Sequence, residues 1–498
     1  MKTKSCLLLL ALLGVVDARA AEPPNVVMIV IDDQNDWVGA FGGHPMAKTP
    51  HMDALAARGT ALLNAQVSAP VCNPSRAAFM TGLRPTTTGI YGLEPWLRDV
   101  PKWKEWVTLP QYFRQAGYRT ATDGKIHHNS TKHINTPGKM AFEFDEWGPT
   151  KDLVGIRPSS RLIDPLPNRI IDWGVFPHND EDKGDYKVAS WAVEQIRSAP
   201  KEKPFFIAAG FYLPHVPTYV SPKWWDLYPD DDSILPPVSP GERSGLPRFS
   251  WYLHWKLPEH RLHEVQKHKQ WRNMVRSYLA ATSFIDSQVG RILEALKGAG
   301  LEEKTIVVVF GDNGYHFGEK EITGKNSLWA RGTRTPLIFA GPGIAAGGRC
   351  RQPVDLTDLY PTLIELCGLP PRTDLDGISI LPQLQNDKTP RERPAVTTAN
   401  PGNHAIVSGK FRYIHYADGS EELYDLNDDP HEWNNLAPNP KYAPVLADHR
   451  KWLPKDESAP AAGSDTAGRH LTYDPATDTA VWQGKDVIRR SDPIPGMP

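Results

Sequence analysis

Asn25-Val26-Val27-Met28-Ile29-Val30-Ile31, stopping at Asp32-Asp33, is the stretch on which the reading of the fold turns. A continuous apolar, largely β-branched run marks a strand buried on both faces, and such strands belong to parallel sheets covered by helices. The pattern returns from Phe205 to Ala209 and from Thr305 to Phe310, and more briefly from Tyr118 to Thr122 and Thr335 to Ala340. Helical segments alternate with these runs. Thr49-Pro50 opens one that Gly59 stops, Thr108 to Ala116 precedes Gly117, and helical spacing recurs from Val188 to Ile196. A long amphipathic helix follows from Trp271 to Leu296, then another from Asp355 to Leu366. Strands alternating with helices predict an α/β fold built on a mostly parallel sheet.

Beyond about Pro390 the alternation gives way to short antiparallel pieces, His404 to Val407, Phe411 to Tyr416 and Glu422 to Leu426. From about Glu457 the chain is rich in Ala, Ser, Asp and Pro, and a partly irregular tail is expected. With 498 residues the chain is long enough for two domains. The boundaries expected are a leader at 1–20, a catalytic domain at 21–390 and a smaller C-terminal α+β unit at 391–498.

Residues 1–20 read as an export signal: Lys2 and Lys4, an apolar run from Leu7 to Val16, and Ala18-Arg19-Ala20 as the cleavage site. The run is too short to span a bilayer and no later stretch is apolar enough, so a soluble periplasmic or secreted protein is expected. A formal charge of -2 argues against nucleic acid or a polybasic membrane partner. Loss of Cys6 with the signal leaves Cys72, Cys350 and Cys367. An odd cysteine in an oxidising compartment is a reactive thiol or a residue that becomes something else. Cys350 and Cys367 could pair or remain two buried thiols.

Two regions read as excursions from the sheet. Asn129 to about Asp182 is loop-like, and a Trp- and Pro-rich insertion reaching about Pro258 is either a substrate-facing loop or a surface loop packed on its own aromatics. Trp96, Arg98, Trp103 and Trp106 could stack on sugar rings or clamp a carboxylate, or could be packing residues.

Ligands in parallel α/β sheets bind beyond the carboxyl ends of the strands. Four groups stand there: Asp32 and Asp33; Lys125, His127 and His128; His215; Asp312 and Asn313. Any one has an ordinary alternative as a cap, turn or surface residue. Asp32, Asp33, Asp312 and Asn313 together form a hard, all-oxygen set suited to Ca²⁺ or Mg²⁺ rather than Zn²⁺. Val71 to Gly82 adds a predicted helix, with Pro74 in its first turn and Gly82 at its stop. Cys72 would sit at its positive mouth with Arg76 one turn on, a place for an oxyanion. The plainer alternative for Cys72 is a small buried apolar residue.

These residues resemble the type I sulfatases, whose Cys-x-Pro-Ser-Arg signature is Cys72-Asn73-Pro74-Ser75-Arg76 here. The likeness extends over Asp32-Asp33, Thr81-Gly82, Gly124-Lys125, Asp312-Asn313-Gly314, Gly318-Glu319 and Lys325. It continues through Leu423-Tyr424-Asp425-Leu426, Asp429-Pro430, Glu432 and Asn435-Leu436-Ala437. It implies an alkaline-phosphatase-like fold, a large mixed sheet with a smaller C-terminal antiparallel one. It also implies that a maturation enzyme oxidises Cys72 to formylglycine, whose hydrate attacks sulfur, releases the alcohol and then expels sulfate. By the same resemblance Asp32, Asp33, Asp312, Asn313 and the modified Cys72 hold one Ca²⁺, with Mg²⁺ as alternative. Arg76, Lys125 and Lys325 carry charge on the sulfate, His128 is the base that collapses the hemisulfate, and His215 and Lys325 assist the leaving oxygen.

Gly124-Lys125-Ile126-His127-His128, Pro214-His215-Val216-Pro217 and the Ser277-to-Leu293 helix look most like iduronate-2-sulfatase-like members, which act on sulfated uronic acids in polysaccharides. His127, Tyr315, His316, Asn326, Trp96 and Arg98 are the substrate contacts this suggests. Tyr315, Asn326 and Lys320 depart from the Trp, Tyr and His expected there. Two other readings stay open, a phosphomonoesterase or phosphodiesterase of the same superfamily and a non-catalytic sulfated-glycan binder.

Overall fold

The structure, a computed structural model, describes residues 22–128, 143–163, 166, 171–200, 202–256, 258–463 and 470–494. The expected export signal and much of the loop beginning at Asn129 lie outside these residues.

Eight strands make the main sheet among the described residues: β1 (Asn25–Ile31), β2 (Thr60–Leu62), β3 (Arg119–Gly124), β4 (Glu146–Trp147), β5 (Phe205–Phe211), β6 (Thr305–Gly311), β7 (Leu337–Ala340) and β8 (Gly348–Cys350). Their order in space is β8-β2-β7-β6-β1-β5-β3-β4. β7 runs against both its neighbours, and every other pairing is parallel. The sheet is thus mixed and mostly parallel, the alkaline-phosphatase-like architecture.

Both faces of β1 are covered. Val27, Ile29 and Ile31 pack on one side with residues of α1 (Pro50–Arg58), α4 (Gly184–Arg197) and α5 (Trp271–Gly298). Val26, Met28 and Val30 pack on the other with α2 (Cys72–Thr81), α3 (Leu109–Gln115) and α6 (Leu359–Leu366). A strand with an apolar layer on each side has no polar face to show, which is why its sequence does not alternate.

The C-terminal region carries an antiparallel sheet of β9 (Ala395–Thr398), β10 (His404–Val407), β11 (Phe411–His415) and β12 (Glu421–Asp425). The tail is irregular over 451–463, which carry no helix or strand, but β13 (Leu471–Asp474), β14 (Thr479–Trp482) and β15 (Asp486–Arg489) form a further antiparallel meander. Its inward residues Leu471, Ala480, Trp482 and Ile488 share a core with Phe249, Trp251, Leu253 and Trp255. Over this stretch the aromatics of the Trp-rich insertion pack into a core, so the aromatic-packing alternative holds there, though against the last meander rather than at the surface. Cys350 and Cys367 are two buried free thiols.

Arg412 on β11 ties this region to the segments around Gln66 and Leu328–Thr333 of the larger α/β part. It is buried, donates to the Leu328 carbonyl, Thr333 Oγ1 and Gln66 Oε1 at 2.9–3.0 Å, and pairs through Nε with Glu432 at 2.5 Å. Removing one partner of a buried pair strands the other charge, at a cost of about 3–5 kcal/mol. Glu432→Gln is therefore expected to lower the urea midpoint markedly. An unchanged midpoint would show that the pair is idle.

Candidate active site

The four strands that end in chemistry-bearing residues, β6, β1, β5 and β3, are consecutive in the centre of the sheet. Their ladder continues one residue past the strands: Asp312 N–H donates to the Ile31 carbonyl and Asp32 N–H to that of Phe211, both at 3.2 Å. Lys125 N–H donates to the Gly210 carbonyl at 2.8 Å. This closeness requires glycine on both sides. A Cβ on Gly124, whose φ is +82°, would lie 2.0 Å from the Gly210 oxygen, and one on Gly210 would lie 2.2 Å from the Lys125 oxygen.

Cys72 opens α2, after an extended Val71, and Gly82 ends it with φ 72°. Cys72 is 1% exposed. Its Sγ lies 2.9 Å from Lys325 Nζ, 3.4 Å from Asp32 Oδ1 and 4.0 Å from Lys125 Nζ. Burial, with the Asp32 carboxylate beside it, pushes the thiol up to about 12 against the pull of Lys125 and Lys325. An unmodified Cys72 is thus a protonated thiol at neutral pH and a poor nucleophile.

Lys125 pairs with Asp32 and Lys325 with Asp33, each in close contact. Arg76 is engaged by the protein itself. Its Nε donates to Asp312 Oδ2 at 2.8 Å, its Nη2 lies 3.3 Å from Asp32 Oδ1, and its Nη1 is directed at the Lys125 and Ile126 carbonyls. It therefore braces two carboxylates and the Lys125 loop. Ser75 Oγ adds a 2.5 Å bond to the Asp312 carbonyl.

Carboxylate oxygens of Asp32, Asp33 and Asp312 lie within 4.8 Å of one another. Burial alone would raise Asp32, but Lys125, His215, Arg76 and Lys325 outweigh it and hold the carboxyl well below its usual range. Burial, with Asp32 and Asp33 adding to it, pushes Asp312 up to about 7 although Arg76 opposes the shift. Three acids that close repel, and a cation is the natural relief. Asp33 Oδ2 and Asn313 Oδ1 are buried without a hydrogen-bond partner among the described residues. Those two orphaned oxygens and the three clustered carboxylates fit a hard divalent ion held by Asp32, Asp33, Asp312 and Asn313, with Cys72 Sγ beside Asp32 as the one soft donor among these groups.

His215 Nε2 lies 3.8 Å from Asp33 Oδ2, and burial pushes the imidazole down to about 4 despite Asp33 and Asp32. His128 is pushed well below its ordinary value by burial and then by Lys125, with Asp32, Lys325 and Arg76 as further electrostatic neighbours. Both belong to the group around Cys72. His127 is buried edge-on to Trp96, ring centroids 6.1 Å apart.

Four expected substrate contacts are corrected. Arg98 is spent on Glu143, Gln111 and the carbonyls of Trp103, Lys104 and Trp106. Trp96 is core, packed with Leu97, Val100 and Trp103. His316 is wholly buried between the Glu319 carbonyl at 3.1 Å and Ser327 Oγ at 2.7 Å. Asn326 takes φ 71° and directs its amide at the Leu253 carbonyl. Tyr315 differs, since with Pro214, Val216, Tyr278 and Phe317 it lines a small cleft of about 10 Å³ beside the His215 loop.

Sequence reading missed Tyr278, Tyr212 and Asp185. Tyr278 looks like one more apolar position of α5, yet its hydroxyl donates to the Asp33 carbonyl and accepts from Asn35 N–H, both at 2.8 Å. Tyr212 lies three residues before His215, which was the one available signal. Asp185, in the first turn of α4, reads as an ordinary helix-start acid.

A buried Cys72 flanked by Lys125 and Lys325, with three carboxylates at parallel strand ends, fits a hydrolase for tetrahedral oxyanion esters. Residues 24–369 match the sulfatase family, and residues 318–458 match the C-terminal region of N-sulphoglucosamine sulphohydrolase. The chain is 36% identical to a sulfatase of Formosa agariphila over 88% of this chain and 87% of that one. It is 29% identical to human iduronate 2-sulfatase over 72% and 71%. A solved 2-O GAG sulfatase superposes with a TM-score of 0.68 at 26% identity, covering 87% of this chain and 91% of the other. The chain belongs to the sulfatase family and is a sulfuric ester hydrolase.

Proposed function

We propose that this protein is exported by its leader at 1–20 and removes sulfate from carbohydrate, with 2-O-sulfated uronic acid residues as the leading substrate. The proposal includes conversion of Cys72 to formylglycine by a maturation enzyme and one bound Ca²⁺, or Mg²⁺ in its place. The observation that carries it is the position of Cys72 Sγ, between Lys325 and Asp32 at the end of the central strands. The 2-O GAG sulfatase and iduronate 2-sulfatase likenesses support the choice of sugar.

Formylglycine supplies a nucleophilic oxygen where the thiol would be inert, and the cation supplies a Lewis acid that polarises the sulfate. Lys125 and Lys325 flank that oxygen and neutralise the sulfate oxygens as charge builds on them. Arg76 holds Asp32 and Asp312 in place against their mutual repulsion. His215 and Lys325 stand by the ester oxygen and ease its departure as the S–O bond breaks, and His128 takes the proton released when sulfate is expelled. Ester and water thus give alcohol, sulfate and a proton.

Matured protein is expected to release sulfate from a 2-O-sulfated uronate disaccharide, and to cleave an aryl sulfate faster than the matching aryl phosphate. Faster phosphate turnover would move the protein to the phosphoesterase reading.

A further inference from the structure

The His215 loop is held from a place that the reaction itself does not use. Asp185, wholly buried in the first turn of α4, accepts the Tyr212 N–H at 2.6 Å on Oδ1 and the Leu213 N–H at 3.0 Å on Oδ2. These are the first two amides beyond β5. From there the chain turns tightly, with His215 N–H donating to the Tyr212 carbonyl at 3.0 Å. The Tyr212 hydroxyl donates to the Val216 carbonyl at 2.5 Å and stands 3.1 Å from His215 Nδ1, which also lies 2.5 Å from that carbonyl. A carbonyl can only accept, so Nδ1 carries a hydrogen whether or not the ring is charged, and Nε2, the atom turned toward Asp33, is the one from which the charged ring can give a proton to a departing oxygen. The rings of Tyr212 and His215 lie against each other, centroids 4.9 Å apart, and Lys125 Nζ sits 5.5 Å from the Tyr212 ring on another side. Beside the Val216 carbonyl and Asp33, the imidazole is thus held by the hydroxyl, ring and carbonyl of Tyr212, and the backbone of Tyr212 is fixed by Asp185.

We propose that Asp185 and Tyr212 are positioning residues that form a frame for His215, setting Nε2 where the ester oxygen departs. The inference rests on the sulfatase mechanism above. A bidentate carboxylate is needed because both amides require an acceptor. An asparagine in place of Asp185 would offer one acceptor and turn an N–H₂ donor toward the other amide, leaving it unpaired. Freed of that hold, the loop can shift by a fraction of an ångström, and misplacement on that scale costs about 10- to 100-fold in rate.

The test uses full-length, matured, cation-loaded protein and a series of aryl sulfates running from 4-nitrophenyl to phenyl. A 2-O-sulfated uronate disaccharide is measured in parallel. Help to the leaving oxygen matters little for a good leaving group and greatly for a poor one. Asp185→Asn is therefore expected to lower kcat less than about 3-fold on 4-nitrophenyl sulfate and about 10- to 100-fold on phenyl sulfate, with KM nearly unchanged. In a His215→Ala background the same substitution should add less than about 3-fold on either ester, because the group it places is gone. Tyr212→Phe, which removes the hydroxyl alone, should show the same selective loss and tests the frame even where Asp185→Asn fails to fold. Equal losses across the aryl series, or losses that multiply with His215→Ala, would overturn the frame. Turnover of aryl sulfates without turnover of the disaccharide would count against the carbohydrate reading and leave the frame standing.

Discussion

Cys72→Ala is expected to abolish sulfate release, by about 10⁵-fold or more, while the protein keeps its fold. The size follows from the position of the residue. Loss of the side chain from which the nucleophilic oxygen is to be made leaves two lysines and a carboxylate cluster with nothing to direct at sulfur, and water held there at random is a poor substitute. The mild effect on stability follows from the same geometry. The thiol is a small group at the first turn of α2, and the helix keeps its Gly82 stop and its core residues Phe79 and Met80. A deletion of this size costs on the order of 1 kcal/mol, which for a chain this long moves the melting midpoint by roughly 1 °C. Retained activity would remove Cys72 from the mechanism. Loss of activity matched by loss of folding would return it to the role of a structural cysteine.

The second large effect is expected at the carboxylates. Asp312→Asn removes one charge from the set of three and leaves Arg76 short of its 2.8 Å partner. Fewer charged ligands weaken a hard-cation site by orders of magnitude, and activity should fall about 10³-fold. Binding can be read without catalysis. Protein stripped with a chelator should melt lower than protein with Ca²⁺, because ligand at 100 times its Kd adds about 2.7 kcal/mol to the folded state. The Asp312→Asn protein should show little of that gain. A Ca²⁺- and Mg²⁺-independent melting point in the unsubstituted protein would sink the cation assignment.

The sequence made the strand ends legible for a physical reason. Strands buried on both faces cannot alternate, so Asn25–Ile31 and Thr305–Gly311 stand out, and whatever follows them is placed at one edge of the sheet. Strand direction has no such local signature: nothing within Leu337–Ala340 tells that it runs backwards. The last meander was hidden because its strands are short and half-exposed, with Trp482 and Leu471 finding their partners in Trp251 and Tyr416 far along the chain. Arg98 was misread for a similar reason. An arginine in sequence shows its charge but not the Glu143 that will absorb it, and Asp185 shows a helix-start acid but not the two amides of another strand that it holds.

The near-total enclosure of Cys72 also dates its chemistry. A side chain 1% exposed, walled by Asp32, Lys125 and Lys325, offers no approach to a second enzyme once the central strands have closed. Those walls come from segments up to 253 residues away from Cys72 along the chain, and contacts of such span form late in folding. Any maturation of Cys72 therefore belongs to the interval in which the helix that carries it has been made and the sheet around it has not. On the proposed mechanism, a chain that folded before that conversion would keep its fold and lack activity, so the order of folding and conversion would set the yield of working protein.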